Sequence, residues 1–451
     1  MPSRVREYFV PRNAPTGRCE AQFVHERNVT AMHLACSECG AVATSGQIFC
    51  SSCNGLLAFT IDPERFDGRA LRATFDERRL SNDPLDTSGV WRFRELLPDI
   101  AREHVVTLRE NALPVYGACL GGSYADATNA SYVHLGMNPT ASFKDAGMTA
   151  AISHAKSSGA RVAICASTGN TAAAMSAYCA RAGIAGLVLV PAVGISASKV
   201  AQTLDYGATV AAIDGDFDRA LEVVRGLDPT RIAIVNSVNP YRIEGQKCAA
   251  FALLQARGWR VPDWLVLPGG NLGNTSAFGK GFREALALGL IDRLPRIAVV
   301  QAAGAAPFAK LFRDGGEMVP VHARTTATAI KIGAPASWRK ALAEVRASHG
   351  TVIDVSDDEI ADARAVIGRD GIGCEPASAA SLAGLRILRD RGIIGRDEDA
   401  VLVLTGHVLK DGAYATTYHE SAAPFANRIR QTPTDALLRD LIAEVTAVRV
   451  E

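Results

Sequence analysis

The sequence predicts an α/β protein whose parallel sheets are covered by helices on both faces, preceded by a small cysteine-bearing subdomain. Three observations carry this. Short continuous Val/Ile/Ala/Leu runs recur from about residue 105 onward, amphipathic stretches of helical length separate them, and four N-terminal cysteines fall into two CxxC steps. Strands buried on both faces read as unbroken apolar runs, and their alternation with helices is what a parallel sheet requires.

At 451 residues the chain exceeds what one hydrophobic core sustains, so two or three domains are expected. Its 48% hydrophobic and 21% charged content is that of a soluble globular protein. A net charge of +1 gives no global field for nucleic acid or an anionic membrane, and neither is expected as a partner. There is no run of 18 apolar residues, and the opening MPSRVREYFVPRN lacks an apolar signal core. With ten cysteines and no secretion signal, a reducing, cytoplasmic location is expected.

Taken in order, Cys36-Ser-Glu-Cys39 and Cys50-Ser-Ser-Cys53 are ten residues apart, and each pair is soon followed by a glycine, Gly40 or Gly55. Each knuckle can present two thiolates to one ion, the pattern of a four-cysteine zinc ribbon. Four thiolates complete a tetrahedron, so the expected zinc is structural. Cys19, His25 and His33 are left out of it. Residues 60–100 read as a connector with short helical turns. Strands are expected in 161–167, 186–192, 209–215, 231–237, 263–270, 296–303 and 400–406. Helices are expected in TAAAMSAYCARAG, SKVAQTLDYGA, DFDRALEVVRGL and CAAFALLQARGW, with TDALLRDLIAEVTAV packed outside.

The chemistry begins at NPTASFKDAG, residues 138–147. Asn-Pro marks a chain reversal, and helical composition follows from Asp145, so Lys144 stands at a loop-to-helix junction. The helix dipole disfavours a cation there, which makes Lys144 a candidate for use as a neutral amine. Three strand ends supply what such an amine needs. Ser167-Thr168-Gly169-Asn170-Thr171 runs into a helix and offers hydroxyls and free N–H groups as an anion nest. Gly269-Gly270-Asn271-Leu272-Gly273-Asn274, again before a helix, has the form of a phosphate cradle and is neither a dinucleotide fingerprint nor a Walker loop. Thr405, in Thr405-Gly406-His407, places a hydroxyl at the tip of a buried strand, where it can meet a ring nitrogen. Amine, cradle, nest and hydroxyl together describe one ligand, pyridoxal 5′-phosphate.

With these motifs in view, the sequence resembles the threonine synthases of the fold-type-II pyridoxal-phosphate enzymes, from about residue 88 to 420. NPTASFKDAG is similar to the family's NPTGSFKD(R)G, CASTGNTAAAMSAYCARAG to its ASTGNT segment, and LPGGNLGNTSAFGKGF to its phosphate loop. VNSVNPYRIEGQK, CEPASAAS, LTGHVLKD, GVWRFRELLP and the CxxC pair have counterparts too. The resemblance implies two parallel-sheet three-layer domains of fold type II with a zinc-ribbon-like subdomain. It also implies that Lys144, beside Phe143, carries the cofactor as a Schiff base. Asn170 would bond the cofactor's 3′-oxygen, Gly269 to Asn274 its 5′-phosphate, and Thr405 its pyridine nitrogen. Ser167, Thr168 and Thr171 would hold the substrate carboxylate. Asn236, Ser237 and Arg242 would hold the phosphate of O-phosphohomoserine, a role that suits the planar guanidinium fork. The implied reaction eliminates phosphate from Cγ and adds water at Cβ to give threonine.

The expected organisation is a cysteine segment at 1–60, a connector at 61–105, and a large cofactor domain at 106–144 and 240–425. A small substrate-side domain spans 145–239 and a C-terminal helix lies in 426–451. A small amino acid is the expected ligand and a homodimer the expected assembly. Several positions depart from the family pattern: Ala141 for a glycine, Arg109, Asn111 and Leu113 for Gly, Gly and Thr of GEGxTPL, Gly194 for a lysine, and Val408 for a glycine. They cluster on the substrate side, so the alternative is a diverged lyase or transferase acting on another phosphorylated or hydroxylated amino acid.

Overall fold

A computed structural model describes residues 32–192, 197–214, 231–427, 429–430 and 434–447. Cys19, His25, Gly194 and the expected helix DFDRALEVVRGL lie outside these, as does the side chain of Lys199. In chain order the strands are β1 (Met32–Cys36), β2 (Leu57–Ile61), β3 (Val115–Gly117), β4 (Ala130–His134), β5 (Val162–Ala166), β6 (Ala185–Pro191), β7 (Thr209–Ile213), β8 (Ile232–Ile234), β9 (Trp264–Pro268), β10 (Arg296–Ala302), β11 (Thr351–Val355) and β12 (Ala400–Leu404). They form three sheets. β1 and β2 pair antiparallel, β7-β6-β5-β8 form a parallel sheet, and β11-β10-β9-β12-β4-β3 form a sheet that is parallel except at β3.

The large sheet separates two cores because its strands alternate with period two. Leu265, Leu267, Val299, Val401 and Val403 face one core, whereas Val266, Ala298, Val300, Leu402 and Leu404 face the other. All ten are fully buried. Full burial of each Leu or Val among them is worth about 1.5–3 kcal/mol, so the sheet is a main source of the fold's stability. Each strand expected from its apolar run lies within the predicted segment except β6, which begins one residue earlier at Ala185; β1, β2, β3, β4 and β11 are additional. The connector contains a three-turn helix, Gly68–Arg78, where only short turns were expected. Asp67 caps it by accepting from the Arg69 and Ala70 amides.

Three helices reach the carboxyl edges of the strands: Lys144–Ser157, Pro240–Ala256 and Gly273–Ala287. The first two cross closely. A Cβ on Gly245 would lie 1.9 Å from the Ala146 carbonyl oxygen, so only glycine permits the contact. The second and third are tied by four buried charges. Lys247 Nζ lies 2.6 Å from Glu244 and 2.7 Å from Glu284, and Lys280 pairs with the same two carboxylates. Burial pushes the Glu244 carboxyl up, but Lys247 and Lys280 outweigh it and hold it below its ordinary range.

The β1–β2 hairpin docks on the start of helix Pro240–Ala256. The Phe59 and Tyr241 rings meet edge to face at 4.9 Å, His154 stacks on Tyr241 at 3.6 Å, and Ser45 Oγ lies 3.1 Å from the Tyr241 hydroxyl. Among the described residues no helix is long and apolar enough to cross a membrane.

Candidate active site

The loop 138–143 leaves β4 and is stitched by its backbone to the end of β12. Ala141 N–H donates to the Asn138 carbonyl at 2.7 Å, Phe143 N–H to the Thr405 carbonyl at 2.9 Å, and His407 N–H to the Ala141 carbonyl at 3.0 Å. Lys144 is the first residue of its helix, and its Nζ sits 4.0 Å from the centre of the Phe143 ring. Burial, reinforced by the Arg242 guanidinium and opposed by Glu375, pulls the amine from 10.5 down to about 7. A cation at a buried helix start is disfavoured twice, by desolvation and by the dipole. Beside it, burial pushes the Asp145 carboxyl up to about 7 although Thr140 donates to it through N–H and Oγ1.

Asn170 and Thr405 are brought together by a residue that sequence reasoning did not select. Asn170 Nδ2 donates to Glu375 Oε2 at 2.9 Å, and Thr405 Oγ1 donates to Glu375 Oε1 at 2.9 Å. Burial raises the Glu375 carboxyl, and those two donors, with Lys410 and Lys144, oppose the rise. Ser378 Oγ accepts from the Thr405 and Gly406 amides at 2.8 and 3.0 Å, fixing the strand tip. A Cβ on Gly406 would lie 2.3 Å from the Glu375 carboxyl carbon, which explains the glycine in LTGH. The signal for Glu375 was present in CEPASAAS: a lone acid followed by a helix-opening proline among small residues.

The glycine loop following β9 has unanswered donors. Leu272, at φ 63°, begins helix Gly273–Ala287 without a side-chain cap, so its first amides have no partner from that source. Asn274 Nδ2 and Thr275 Oγ1 are buried without partners. Asn271 Nδ2 donates to Ser237 Oγ at 2.6 Å, joining this loop to the segment after β8. Arg242 is 1% exposed; its Nη1 donates to the Val235 carbonyl, while Nε and Nη2 are unpartnered. Burial lowers even this guanidinium to about 10. Asn236 differs from its neighbours, because its carboxamide pairs with both backbone groups of Ala166 at 3.3 Å. Ser167 Oγ accepts from Gly169 N–H at 3.2 Å, and helix Asn170–Ala182 starts at Gly169 without a side-chain cap. Thr168 and Thr171 lie half-buried at that same start.

These groups fit pyridoxal phosphate: an amine poised near neutrality, an uncapped helix start with buried orphan donors, and a hydroxyl on a rigid strand tip. Three of the family departures share a backbone feature. Arg109, Asn111 and Ala141 have φ of 61°, 62° and 64°, the left-handed region that the family fills with glycine.

The four cysteine sulfurs lie within 4.8 Å of one another, with pairs at 3.5 and 3.6 Å. A tetrahedron with metal–sulfur arms of about 2.3 Å has edges of about 3.8 Å, so the cluster suits one zinc ion.

A family model described as "Pyridoxal-phosphate dependent enzyme" matches residues 132–406. The threonine synthase of Methanosarcina acetivorans is 43% identical over 387 residues, covering 84% of this chain and 92% of that protein. The chain belongs to the threonine synthase family. The threonine synthase of a Synechocystis strain is 46% identical over 336 residues, 73% of this chain and 86% of its own. Among solved structures, Escherichia coli threonine synthase aligns with a TM-score of 0.64 at 18% identity, across 91% of this chain and 99% of that one, a likeness of fold. Like the rest of the threonine synthase family, the chain is a pyridoxal-phosphate dependent enzyme of fold type II.

Proposed function

We propose that the protein converts O-phosphohomoserine and water into threonine and phosphate. The observation that supports this most directly is the buried Arg242, whose two unpartnered nitrogens lie on the helix that crosses the Lys144 helix. A guanidinium so placed suits a substrate phosphate held close to the working amine.

Lys144 carries the cofactor, flanked by Phe143. Asn170 and Thr405 orient its ring, and the Gly269, Gly270, Asn271, Leu272, Gly273, Asn274 loop holds its phosphate. Bound pyridoxal phosphate supplies an electron sink for carbanions next to the amino nitrogen. The protein's residues do the rest. Ser167, Thr168 and Thr171, with the free amides of their helix, hold the substrate carboxylate. Arg242, Asn236 and Ser237 hold the phosphate that leaves Cγ. Because Asn236 is engaged with Ala166, its share is to position the loop. The Lys144 amine, neutral near pH 7, moves protons at Cα and Cβ, and water adds at Cβ. Cys36, Cys39, Cys50 and Cys53 hold a structural zinc, and the enzyme acts as a cytoplasmic homodimer.

Purified enzyme given O-phosphohomoserine should release threonine and phosphate in equal amounts. Turnover of another phosphorylated amino acid, with none of O-phosphohomoserine, would refute this reading in favour of a diverged lyase.

A further inference from the structure

A cavity of about 250 Å³ borders Cys374, the residue before Glu375, and its lining includes neither Lys144 nor the glycine loop. Arg364, Arg369, His419, Phe425, Val408 and Cys374 are among its lining residues. The key residue is Arg364, only 6% exposed. Its Nε donates to the Cys374 carbonyl at 3.1 Å, and its Nη2 has no partner. Among the described residues no carboxylate pairs with it. A buried guanidinium without a counter-ion is costly, and a cavity at its side gives an anion room to complete it. The remaining wall fits this use. Arg369 adds a second cation, held over the Phe425 ring at 5.1 Å. His419 Nδ1 accepts the Asn427 amide, which leaves Nε2 as a donor. Phe425, Val408 and Ala365 supply an apolar side.

We propose that this cavity is a binding site for a small carboxylate whose head pairs with Arg364 and whose apolar body lies against Phe425 and Val408. The cavity's lining includes none of Ser167, Thr168, Thr171, Asn236, Ser237 or Arg242. Through the Arg364–Cys374 bond it touches the residue preceding Glu375, a link that matters to catalysis only if the reading of Glu375 as part of the cofactor site holds.

The test is calorimetric titration of the holoenzyme with benzoate, with inorganic phosphate as a second probe. Benzoate is expected to bind saturably in the millimolar range or tighter and to compete with phosphate only weakly. Arg364→Gln should weaken benzoate binding tenfold or more. Gly368→Leu, at a cavity-lining position where an added Cβ meets nothing within 4 Å, should block it with Arg364 intact. If Arg364→Gln does not fold, Gly368→Leu decides. Arg242→Gln should leave benzoate binding unchanged. The proposal is overturned by absence of saturable benzoate binding, by binding that survives in Gly368→Leu, or by binding that disappears in Arg242→Gln.

Discussion

Asn170 and Glu375 meet between the two large sheets: the carboxamide at the start of the helix after β5 donates to the carboxylate that precedes helix Pro376–Asp390, at 2.9 Å. One side-chain contact therefore links the helix after β5 of the four-stranded sheet to the segment before β12 of the six-stranded sheet. Glu375→Ala would leave the Asn170 and Thr405 donors without their acceptor. It should cost about 1–3 kcal/mol of stability and weaken cofactor retention. Glu375→Gln, which keeps one acceptor, should recover most of both. Urea unfolding and spectroscopic cofactor titration check this, and an alanine variant as stable as wild type would refute it.

Lys144 sets a pH dependence. Its amine loses its proton near pH 7, so the reactive neutral fraction grows as pH rises through 7 and falls about tenfold per unit below it. The rate at which cofactor-stripped enzyme recaptures pyridoxal phosphate should follow that curve and level off above pH 8. Lys144→Ala should abolish capture. A rate still climbing at pH 10 would show that the amine is not depressed.

Ala141 holds a left-handed backbone that glycine adopts freely. Ala141→Gly should stabilise the chain by about 1 kcal/mol, read as a higher denaturation midpoint with an unchanged slope. The same change removes one methyl three residues before Lys144, so KM for O-phosphohomoserine should shift more than kcat. No shift in either would make Ala141 irrelevant to substrate choice.

The Lys247 quartet is a stability prediction independent of chemistry. Lys247→Met leaves Glu244 and Glu284 buried with one cation fewer and should cost about 3–5 kcal/mol. Replacing Lys247, Glu244 and Glu284 together with apolar residues should cost much less.

Zinc is checked by counting. One equivalent per chain is expected by elemental analysis, falling below a tenth in Cys50→Ser. Metal in equal amount in the serine variant would mean that another site binds it.

Much of this was readable in the sequence because the buried strands are long and uniformly apolar. β9, β10 and β12 stand out by their Val, Leu, Ile and Ala content, and Thr405 and the glycine loop sit where such strands end. β4 and β11 were not readable, since ASYVH and TVIDV carry polar residues that break the apolar run. Glu375 escaped notice because a carboxylate before a proline reads as a helix start. Its contacts to Asn170 and Thr405 span 205 and 30 residues, which no local pattern encodes. The departures at Arg109, Asn111 and Ala141 were visible, but their shared left-handed backbone emerged only in three dimensions.

Tyr241, clasped by Phe59, His154 and Ser45, immediately precedes Arg242. Handling conditions therefore matter. A preparation kept in strong chelator would loosen the hairpin that steadies this tyrosine and report a poor appetite for phosphorylated substrates. That defect would follow the buffer rather than the active site, and adding back zinc before the assay would separate the two.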